Sequence, residues 1–297
     1  MKIRANNIDI EIEDTHPGDA TGRPVVLLIM GLGMQLIAWP PAMVQAIADA
    51  GFRVVRFDNR DIGLSQFFDH LGSPSLIWEG LKFRLGWRIR PPYSIEDMAA
   101  DTVGVLDALK IAKAHVVGVS MGGMVAQRVA VLAPSRVISL TSIMSSSGAR
   151  GLPEASPAVT RVLLSRPAGK GVQAAVDHTA RLLKAIGSPG FPTPDAELRE
   201  KVAAAAQRSF HPQGVLRQMV AIAADSARAA ALAKVTAPTL VLHGRADPLV
   251  PMACGQDTAK RISGARFESI EGMGHDLPPG VVERLLAFLV PHFKTHA

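Results

Sequence analysis

Residues 115–132 read HVVGVSMGGMVAQRVAVL, and this stretch is the strongest indication of the fold. It begins as an apolar run typical of a strand buried on both faces and continues from Met121 as a helical pattern. Between the two lies Gly118-Val119-Ser120-Met121-Gly122, which has the form G-x-S-x-G. Glycines at these places allow a tight reversal because they carry no side chain that would collide with the backbone. The stretch therefore predicts a strand, a sharp turn that exposes the Ser120 hydroxyl, and a helix.

Apolar runs of the same kind recur along the chain and are separated by helical patterns. The strand-like runs are 25–30, 53–57, 115–119, 137–144, 239–243 and 266–270, and the helical patterns include 95–109, 121–132 and 281–289. Residues 3–13 alternate between polar and apolar and predict an opening antiparallel strand pair. The alternation of strands and helices indicates an α/β fold, with a mostly parallel central sheet flanked by helices on both faces.

Residues 148–235 differ in character from the rest of the chain. Prolines punctuate alanine-rich, helix-compatible stretches, no strand-like run occurs, and strand character resumes after Ala237. We therefore predict a catalytic core of residues 1–147 and 236–297, with a helical cap of residues 148–235 inserted between core strands. A second irregular stretch, 67–93, is rich in aromatic residues, glycine and proline. It is either a lid or substrate-channel wall, or a surface excursion packed by its own aromatics.

Composition limits the classes of partner. The chain has 297 residues, 48% of them hydrophobic and 20% charged, which is typical of a globular protein with a large core. A net charge of +6 permits attraction to acidic surfaces. The basic residues are scattered, however, apart from Lys82, Arg84, Arg88 and Arg90, and no nucleic-acid motif accompanies them. We expect no nucleic-acid partner and interpret this cluster as a solvated or lid surface.

The single cysteine, Cys254, excludes an intramolecular disulfide, so we expect a cytoplasmic protein. Residues 1–14 alternate like a strand and do not resemble a signal peptide. The longest apolar stretch, 25–32, is too short to cross a bilayer, which predicts no integral membrane span. The histidines are dispersed without ligand spacing, so no metal is expected. The sequence leaves homo-oligomerisation open.

The serine of the turn needs a base, because a hydroxyl is a weak nucleophile at neutral pH. His275 is the candidate, since it lies in the glycine-rich loop 271–276 after a late strand and before the final helix. Loops at the carboxyl ends of strands are where α/β folds build their sites. His243 stands at a strand end and is interpreted as structural. The sequence therefore predicts that His275 takes the proton of Ser120.

The base in turn needs an acceptor that fixes its tautomer and stabilises the imidazolium. Asp247 follows the strand-like run 239–243 and completes the chain order serine, aspartate, histidine. Asp276 adjoins the histidine but would ordinarily point elsewhere, and Asp58 or Asp61 are weaker candidates. We predict Asp247 as the catalytic acid.

Two backbone amides are expected to hold the oxyanion. The Met121 amide opens the helix after the serine, where the helix dipole favours negative charge. The Leu32 amide lies in the loop Met30-Gly31-Leu32-Gly33-Met34, whose glycines either admit a substrate carbonyl or merely permit a turn. Met30 and Met34 are candidate substrate-binding residues, although methionine fills cores more often.

Taken together, these motifs make the chain similar to the α/β-hydrolase superfamily over essentially its whole length. Residues 58–65, DNRDIGLS, look like its D-x-R-x-x-G-x-S turn, and residues 116–123 look like its nucleophile elbow. Residues 31–35, the aspartate turn and residues 272–278 most resemble bacterial carboxylesterases of the aclacinomycin methylesterase type. Met30 stands where many relatives carry the histidine of an H-G oxyanion loop, which leaves the backbone donor in place but alters the loop's shape.

The resemblance implies a serine carboxylesterase that hydrolyses a small-molecule ester through a Ser-His-Asp triad and an acyl-enzyme, without a cofactor. A serine at the elbow argues against the dehalogenases and epoxide hydrolases of this fold, which use aspartate. Lactone hydrolysis, cofactor-free perhydrolysis and C–C bond hydrolysis remain alternatives, because all three use the same triad. A ligand-binding protein with little turnover is the alternative from another class.

Overall fold

The computed structural model describes residues 1–19, 22–165 and 167–297. Over these ranges eight strands form one sheet in the order β1-β2-β4-β3-β5-β6-β7-β8. The strands are β1 Lys2–Ala5, β2 Ile8–Asp14, β3 Val25–Ile29, β4 Arg53–Phe57, β5 Ala114–Val119, β6 Val137–Ile143, β7 Thr239–Gly244 and β8 Arg266–Ile270. Strand β2 is antiparallel to β1 and β4, whereas β3 to β8 pair in parallel. The predicted α/β architecture with its opening antiparallel pair is confirmed.

Helices occupy both faces of the sheet and the segment between β6 and β7. They are α1 Pro41–Asp49, α2 Leu76–Arg84, α3 Ile95–Ala108, α4 Met121–Leu132, α5 Pro157–Leu164, α6 Val172–Ile186, α7 Asp195–Arg208, α8 Pro212–Ala224, α9 Arg228–Ala231, α10 Met252–Arg261 and α11 Pro279–Thr295. Helix α2 lies within the stretch 67–93, for which the sequence indicated only irregular structure.

The central strand β3 shows why the continuous apolar runs become buried strands. Its side chains alternate between the two faces, as the pleat of a strand requires. Leu27 packs in one core cluster, with residues of α3 and α4, and Leu28 packs in the other, with residues of α1 and α11. Both side chains are fully buried. A strand covered on both faces must be apolar at every position, which is what the sequence pattern indicated.

Helices α5 to α9 all lie in the chain between β6 and β7, and these two strands are neighbours in the sheet. We call residues 148–235 the cap segment. Within it, α6 and α7 share a small apolar cluster of their own, formed by Val176, Ala180 and Val202. Because strands β3 to β8 are parallel, the carboxyl ends of β3, β5, β7 and β8 lie at the same edge of the sheet. The loops that follow these four strands carry the predicted catalytic groups.

Candidate active site

Ser120 lies on a strained turn between β5 and α4. Its φ is +55° and its ψ is −120°, a conformation that a residue with a side chain rarely adopts. A Cβ on Gly118 would lie 2.0 Å from the carbonyl oxygen of Gly122, and one on Gly122 would lie 2.1 Å from that of Ile29. Only glycine fits at either place. The G-x-S-x-G pattern therefore reflects the close packing of this turn against its own helix and against β3.

Three side chains from three separate loops meet at this turn. The ring nitrogen Nε2 of His275 lies 3.0 Å from Ser120 Oγ, and Nδ1 lies 2.7 Å from Asp247 Oδ2. Asp247 is 7% exposed and His275 is 8% exposed, so both are largely removed from water. An imidazole held by a carboxylate at one nitrogen presents the other to the hydroxyl as a proton acceptor. The structure thus brings together the three residues predicted as the triad.

The Asp247 carboxylate is oriented by its own loop. Its Oδ1 accepts hydrogen bonds from the amides of Leu249, at 2.9 Å, and Val250, at 2.8 Å, which directs Oδ2 towards His275. His243 is also near Asp247, but its Nε2 donates to the Val250 carbonyl at 2.8 Å. Burial lowers the pKa of His243 and favours its neutral form. His243 therefore serves the loop structurally, as the sequence indicated.

The loop that carries His275 is tied to the cap segment by backbone and side-chain contacts. The His275 amide donates to the Ile186 carbonyl at 2.7 Å, and the Gly274 amide donates to Ser188 Oγ at 2.8 Å. The Ser188 hydroxyl in turn donates to Asp276 Oδ1. Burial raises the pKa of the Asp276 carboxyl. Asp276 therefore anchors the loop, and Ser188 is a residue that the sequence did not single out.

The loop after β3 lies directly above the serine. A Cβ on Gly31 would lie 3.2 Å from Ser120 Cβ and 3.3 Å from the Val119 carbonyl oxygen, so a side chain here would crowd the serine. The Gly33 amide donates to Gln218 Oε1 at 3.0 Å and the Met34 amide donates to the Gly31 carbonyl. The amide of Leu32 has no acceptor among the described residues.

The second predicted oxyanion donor is the amide of Met121, the first residue of α4, which lacks an intrahelical acceptor. It adjoins Ser120 in the chain, and Gly31 of the β3 loop approaches the same serine. The arrangement leaves the Leu32 and Met121 amides available to a substrate oxygen, and their role stays a prediction. Gln218, which fixes the β3 loop from α8, was missed at the sequence level.

The two predicted substrate-binding methionines lie in different surroundings. Met30 is 3% exposed and packs in the core beside Trp39 and Val119, and its carbonyl accepts from Asn59 Nδ2 at 2.9 Å. Met34 is partly buried against the same core. Their side chains fill the core under the oxyanion loop, and substrate contact by either stays a prediction.

The aspartate turn after β4 binds the cap segment. Asp58 is fully buried and accepts hydrogen bonds from the amides of Leu36, at 2.7 Å, and Leu64, at 2.9 Å, and from Arg208 of α7, at 2.7 Å. Burial raises the pKa of the Asp58 carboxyl, while these donors oppose the rise. The turn therefore holds the cap helices in place, and Asp58 is not the partner of His275.

Within residues 1–19, 22–165 and 167–297, no group of three or more histidine, cysteine, aspartate or glutamate side chains is arranged to hold a metal ion. No helix in that part of the chain is long and apolar enough to cross a membrane.

A family model described as the alpha/beta hydrolase fold matches residues 24–278. The chain belongs to the α/β-hydrolase family. This match confirms the superfamily expected from the motifs. The match spans the oxyanion loop, the elbow and the loops of Asp247 and His275, so the whole candidate site lies inside it.

Individual relatives are similar over nearly the full chain. The rhodomycin D methylesterase DauP of Streptomyces sp. (strain C5) is 32% identical, with 93% of each chain covered. The putative non-heme bromoperoxidase BpoC of Mycobacterium tuberculosis (strain ATCC 25618 / H37Rv) is 28% identical over 92% of this chain and 96% of its own. Among solved structures, the meta-cleavage product hydrolase CumD of Pseudomonas fluorescens IP01 superposes with a TM-score of 0.76 at 20% identity, covering 100% of this chain and 98% of its own. At that identity the last comparison supports the fold alone.

Proposed function

We propose that this α/β-hydrolase is a serine carboxylesterase, with Ser120 as nucleophile, His275 as base and Asp247 as the acid that orients the base. One observation carries the proposal: His275 contacts Ser120 Oγ through one ring nitrogen and Asp247 through the other. A ligand-binding protein has no need of a base held in this tautomer against a strained serine.

The first half of the reaction transfers the acyl group to the enzyme. Ser120 Oγ attacks the ester carbonyl carbon while its proton passes to His275 Nε2, and the carbonyl oxygen becomes an oxyanion held by the amides of Leu32 and Met121. The carbonyl then re-forms as the bond to the alcohol oxygen breaks. His275 returns its proton to the departing alcohol, which leaves an acyl-enzyme on Ser120.

The second half releases the acid. A water molecule gives a proton to His275 Nε2 and attacks the acyl carbon, and the same two amides hold the second oxyanion. When the intermediate collapses, the bond to Ser120 Oγ breaks and the proton on His275 returns to that oxygen. Asp247 stabilises the imidazolium in both halves and stays ionised. Each cycle consumes one ester and one water and yields one alcohol and one acid.

We further propose methyl esters of carboxylic acids as the substrate class. The support is the 32% identical relative, which is named a methylesterase and aligns over 93% of both chains. A methyl ester needs little space on the alcohol side of the carbonyl, so binding energy comes mainly from the acyl group.

The test measures product formation from a methyl ester, the matched ethyl ester, a lactone and a vinylogous diketone. We expect methanol and the free acid from the methyl ester, with a kcat/KM above that of the other three. A higher kcat/KM for the lactone or the diketone would replace this proposal with lactonase or C–C hydrolase activity. No turnover of any of them by folded protein would favour a ligand-binding role.

A further inference from the structure

Helix α2 and the turn after it expose several large apolar side chains. We call this series the α2 patch; it consists of Ile77, Trp78, Leu81, Phe83, Leu85 and Trp87. Ile77 is 84% exposed and Trp87 is 56% exposed. Single apolar residues are normal on a surface, but six large ones within residues 77–87, with the rings of Trp78 and Trp87 6.4 Å apart, indicate a contact with another molecule.

No residue of α2 is buried, so none of its apolar side chains packs in the core. Its charged residues Glu79 and Lys82 form a 2.8 Å ion pair, and their side chains are only 14% and 21% exposed. Lys82 also lies 5.7 Å from the centre of the Trp78 ring. A surface helix normally turns its apolar side to the core and its charges to water. In α2 the large apolar side chains are exposed instead, which leaves them free to contact another molecule.

The surroundings of the α2 patch are basic. Arg84, Arg88 and Arg90 are all exposed, and no carboxylate in the described part of the chain forms an ion pair with any of them. Exposed arginines beside exposed tryptophans suit the boundary between lipid headgroups and acyl chains, because the rings enter the apolar layer while the guanidiniums meet the phosphates. Each basic residue near an anionic bilayer adds to the attraction.

A second copy of the chain fits this surface less well. In a two-fold dimer the same patch lies on both sides of the interface, so both sides would bring three unpaired arginines into it. The chain as a whole carries a net charge of +6, which adds to the repulsion. Charge complementarity therefore favours an anionic lipid surface over self-association.

We propose that the α2 patch docks this protein peripherally on anionic lipid surfaces. The apolar side chains of α2 insert at the level of the headgroups, and Arg84, Arg88 and Arg90 bind the lipid phosphates. No part of the chain needs to cross the bilayer for this contact. The proposal is independent of the catalytic one, since none of these residues belongs to the candidate active site.

The test is co-sedimentation of the full chain with vesicles of phosphatidylcholine alone and of phosphatidylcholine with 30 mol% phosphatidylglycerol (about one lipid in three anionic, enough to attract basic residues). Tryptophan emission gives a second readout, because Trp39 is fully buried and a blue shift must come from Trp78 or Trp87. We expect binding and a blue shift with the anionic vesicles and at least tenfold weaker partition onto the neutral ones.

Two double variants separate the contribution of the apolar residues from that of the arginines, and each has a control substitution of the same kind at a distant exposed position. We expect Ile77→Ser with Phe83→Ser, and Arg84→Glu with Arg88→Glu, each to reduce partition at least tenfold. Leu132→Ser and Lys2→Glu change an exposed leucine and an exposed lysine elsewhere and are expected to bind like the wild type.

Three outcomes would overturn the proposal. The first is no binding of the wild type to anionic vesicles, and the second is equal binding to both vesicle types. The third is a wild-type dimer in solution that the Ile77→Ser and Phe83→Ser changes convert to a monomer, which would assign the patch to a second copy of the chain.

Discussion

Arg217 of α8 and Asp61 of the turn after β4 form a two-point ion pair that joins the cap segment to the core. The Nε atom of Arg217 lies 2.7 Å from Asp61 Oδ2, and its Nη2 atom lies 2.8 Å from Oδ1. The Arg217 side chain is 1% exposed and that of Asp61 is fully buried. The same helix supplies Gln218, whose side-chain oxygen accepts a hydrogen bond from the Gly33 amide in the loop after β3. The ion pair therefore holds α8 in place, and α8 in turn holds the loop after β3, which carries the predicted oxyanion donor.

Breaking this ion pair from one side is expected to destabilise the fold. Arg217→Met leaves the Asp61 carboxylate buried without its partner, so we predict a loss of about 3–5 kcal/mol in the free energy of unfolding. Urea denaturation measures the loss. Arg245→Met is the matched control, because Arg245 pairs with Glu271 at an exposed site, where the change is expected to cost under about 0.5 kcal/mol. Similar losses in the two variants would contradict the role given to Arg217.

Two aspartates near His275 are predicted to differ sharply in catalysis. Asp247→Asn removes the carboxylate that holds the His275 ring, so kcat should fall by about 10⁴-fold. Asp276→Asn keeps an oxygen for the Ser188 hydroxyl, and burial already raises the pKa of this carboxyl, so we expect less than a tenfold change in kcat. Steady-state kinetics on one ester compares them. A larger loss in the Asp276 variant would show that the acid has been misassigned.

The elbow glycines are predicted to tolerate no side chain. In Gly122→Ala the new Cβ would meet the Ile29 carbonyl oxygen, which is backbone and cannot move aside, so the free energy of unfolding should fall by about 3 kcal/mol. Gly80→Ala in α2 is the control, because a Cβ there meets nothing within 4 Å and alanine favours the helix. Chemical denaturation should show a small gain for Gly80→Ala, and equal losses would argue against the packing described at the elbow.

Two buried histidines outside the candidate triad are predicted to make the fold acid-sensitive. Burial lowers the pKa of His115 and of His292 to about 4, below the usual 6.5. Between pH 6.5 and 4 the unfolded chain therefore binds more protons than the folded one, and stability falls as the pH falls. The slope is up to about 1.4 kcal/mol per pH unit for each histidine.

Denaturation curves across that range test the effect. His115→Asn retains a polar atom for Ser139 but cannot gain a charge, so the slope should become shallower. His70→Asn changes an exposed histidine and should leave the slope as it is. An unaltered slope in the His115 variant would remove that residue from the account of acid sensitivity.

The sequence predicted those features of the fold and site that depend on short, local patterns of residues. Strands such as β3 and β5 are continuous apolar runs, and their position in a buried parallel sheet follows from that pattern alone. The positions of Ser120, Asp247 and His275 could be predicted because each follows a strand, and the structure brings them into contact. Their catalytic roles stay predictions until they are tested.

The contacts that fix the site were not predicted, because they join residues far apart in sequence. Gln218 meets Gly33 across 185 positions, and Ser188 meets Asp276 across 88. One signal was available for the first of these contacts. Arg217 and Gln218 interrupt an otherwise apolar stretch of α8, and polar side chains within a buried helix require partners. No local sequence pattern indicated that Ser188 would contact the loop of His275.

The helix in the stretch 67–93 was missed for a different reason. Glycines at 72, 80 and 86 and prolines at 91 and 92 indicated a loop, and the apolar residues of α2 do not follow the period of a helix that packs on a core. No residue of α2 is buried, so no side of the helix has to be apolar to pack on the core, and pattern analysis could not identify it.

The central claim is tested most directly by comparing wild type with Ser120→Ala on p-nitrophenyl acetate, butyrate and octanoate, with circular dichroism to show that both proteins are folded. We expect turnover by the wild type and a kcat lower by at least about 10³-fold in the variant, because no other group replaces the nucleophile. Equal activity of the two folded proteins, or none in either, would contradict the assignment of Ser120 as the nucleophile of a carboxylesterase.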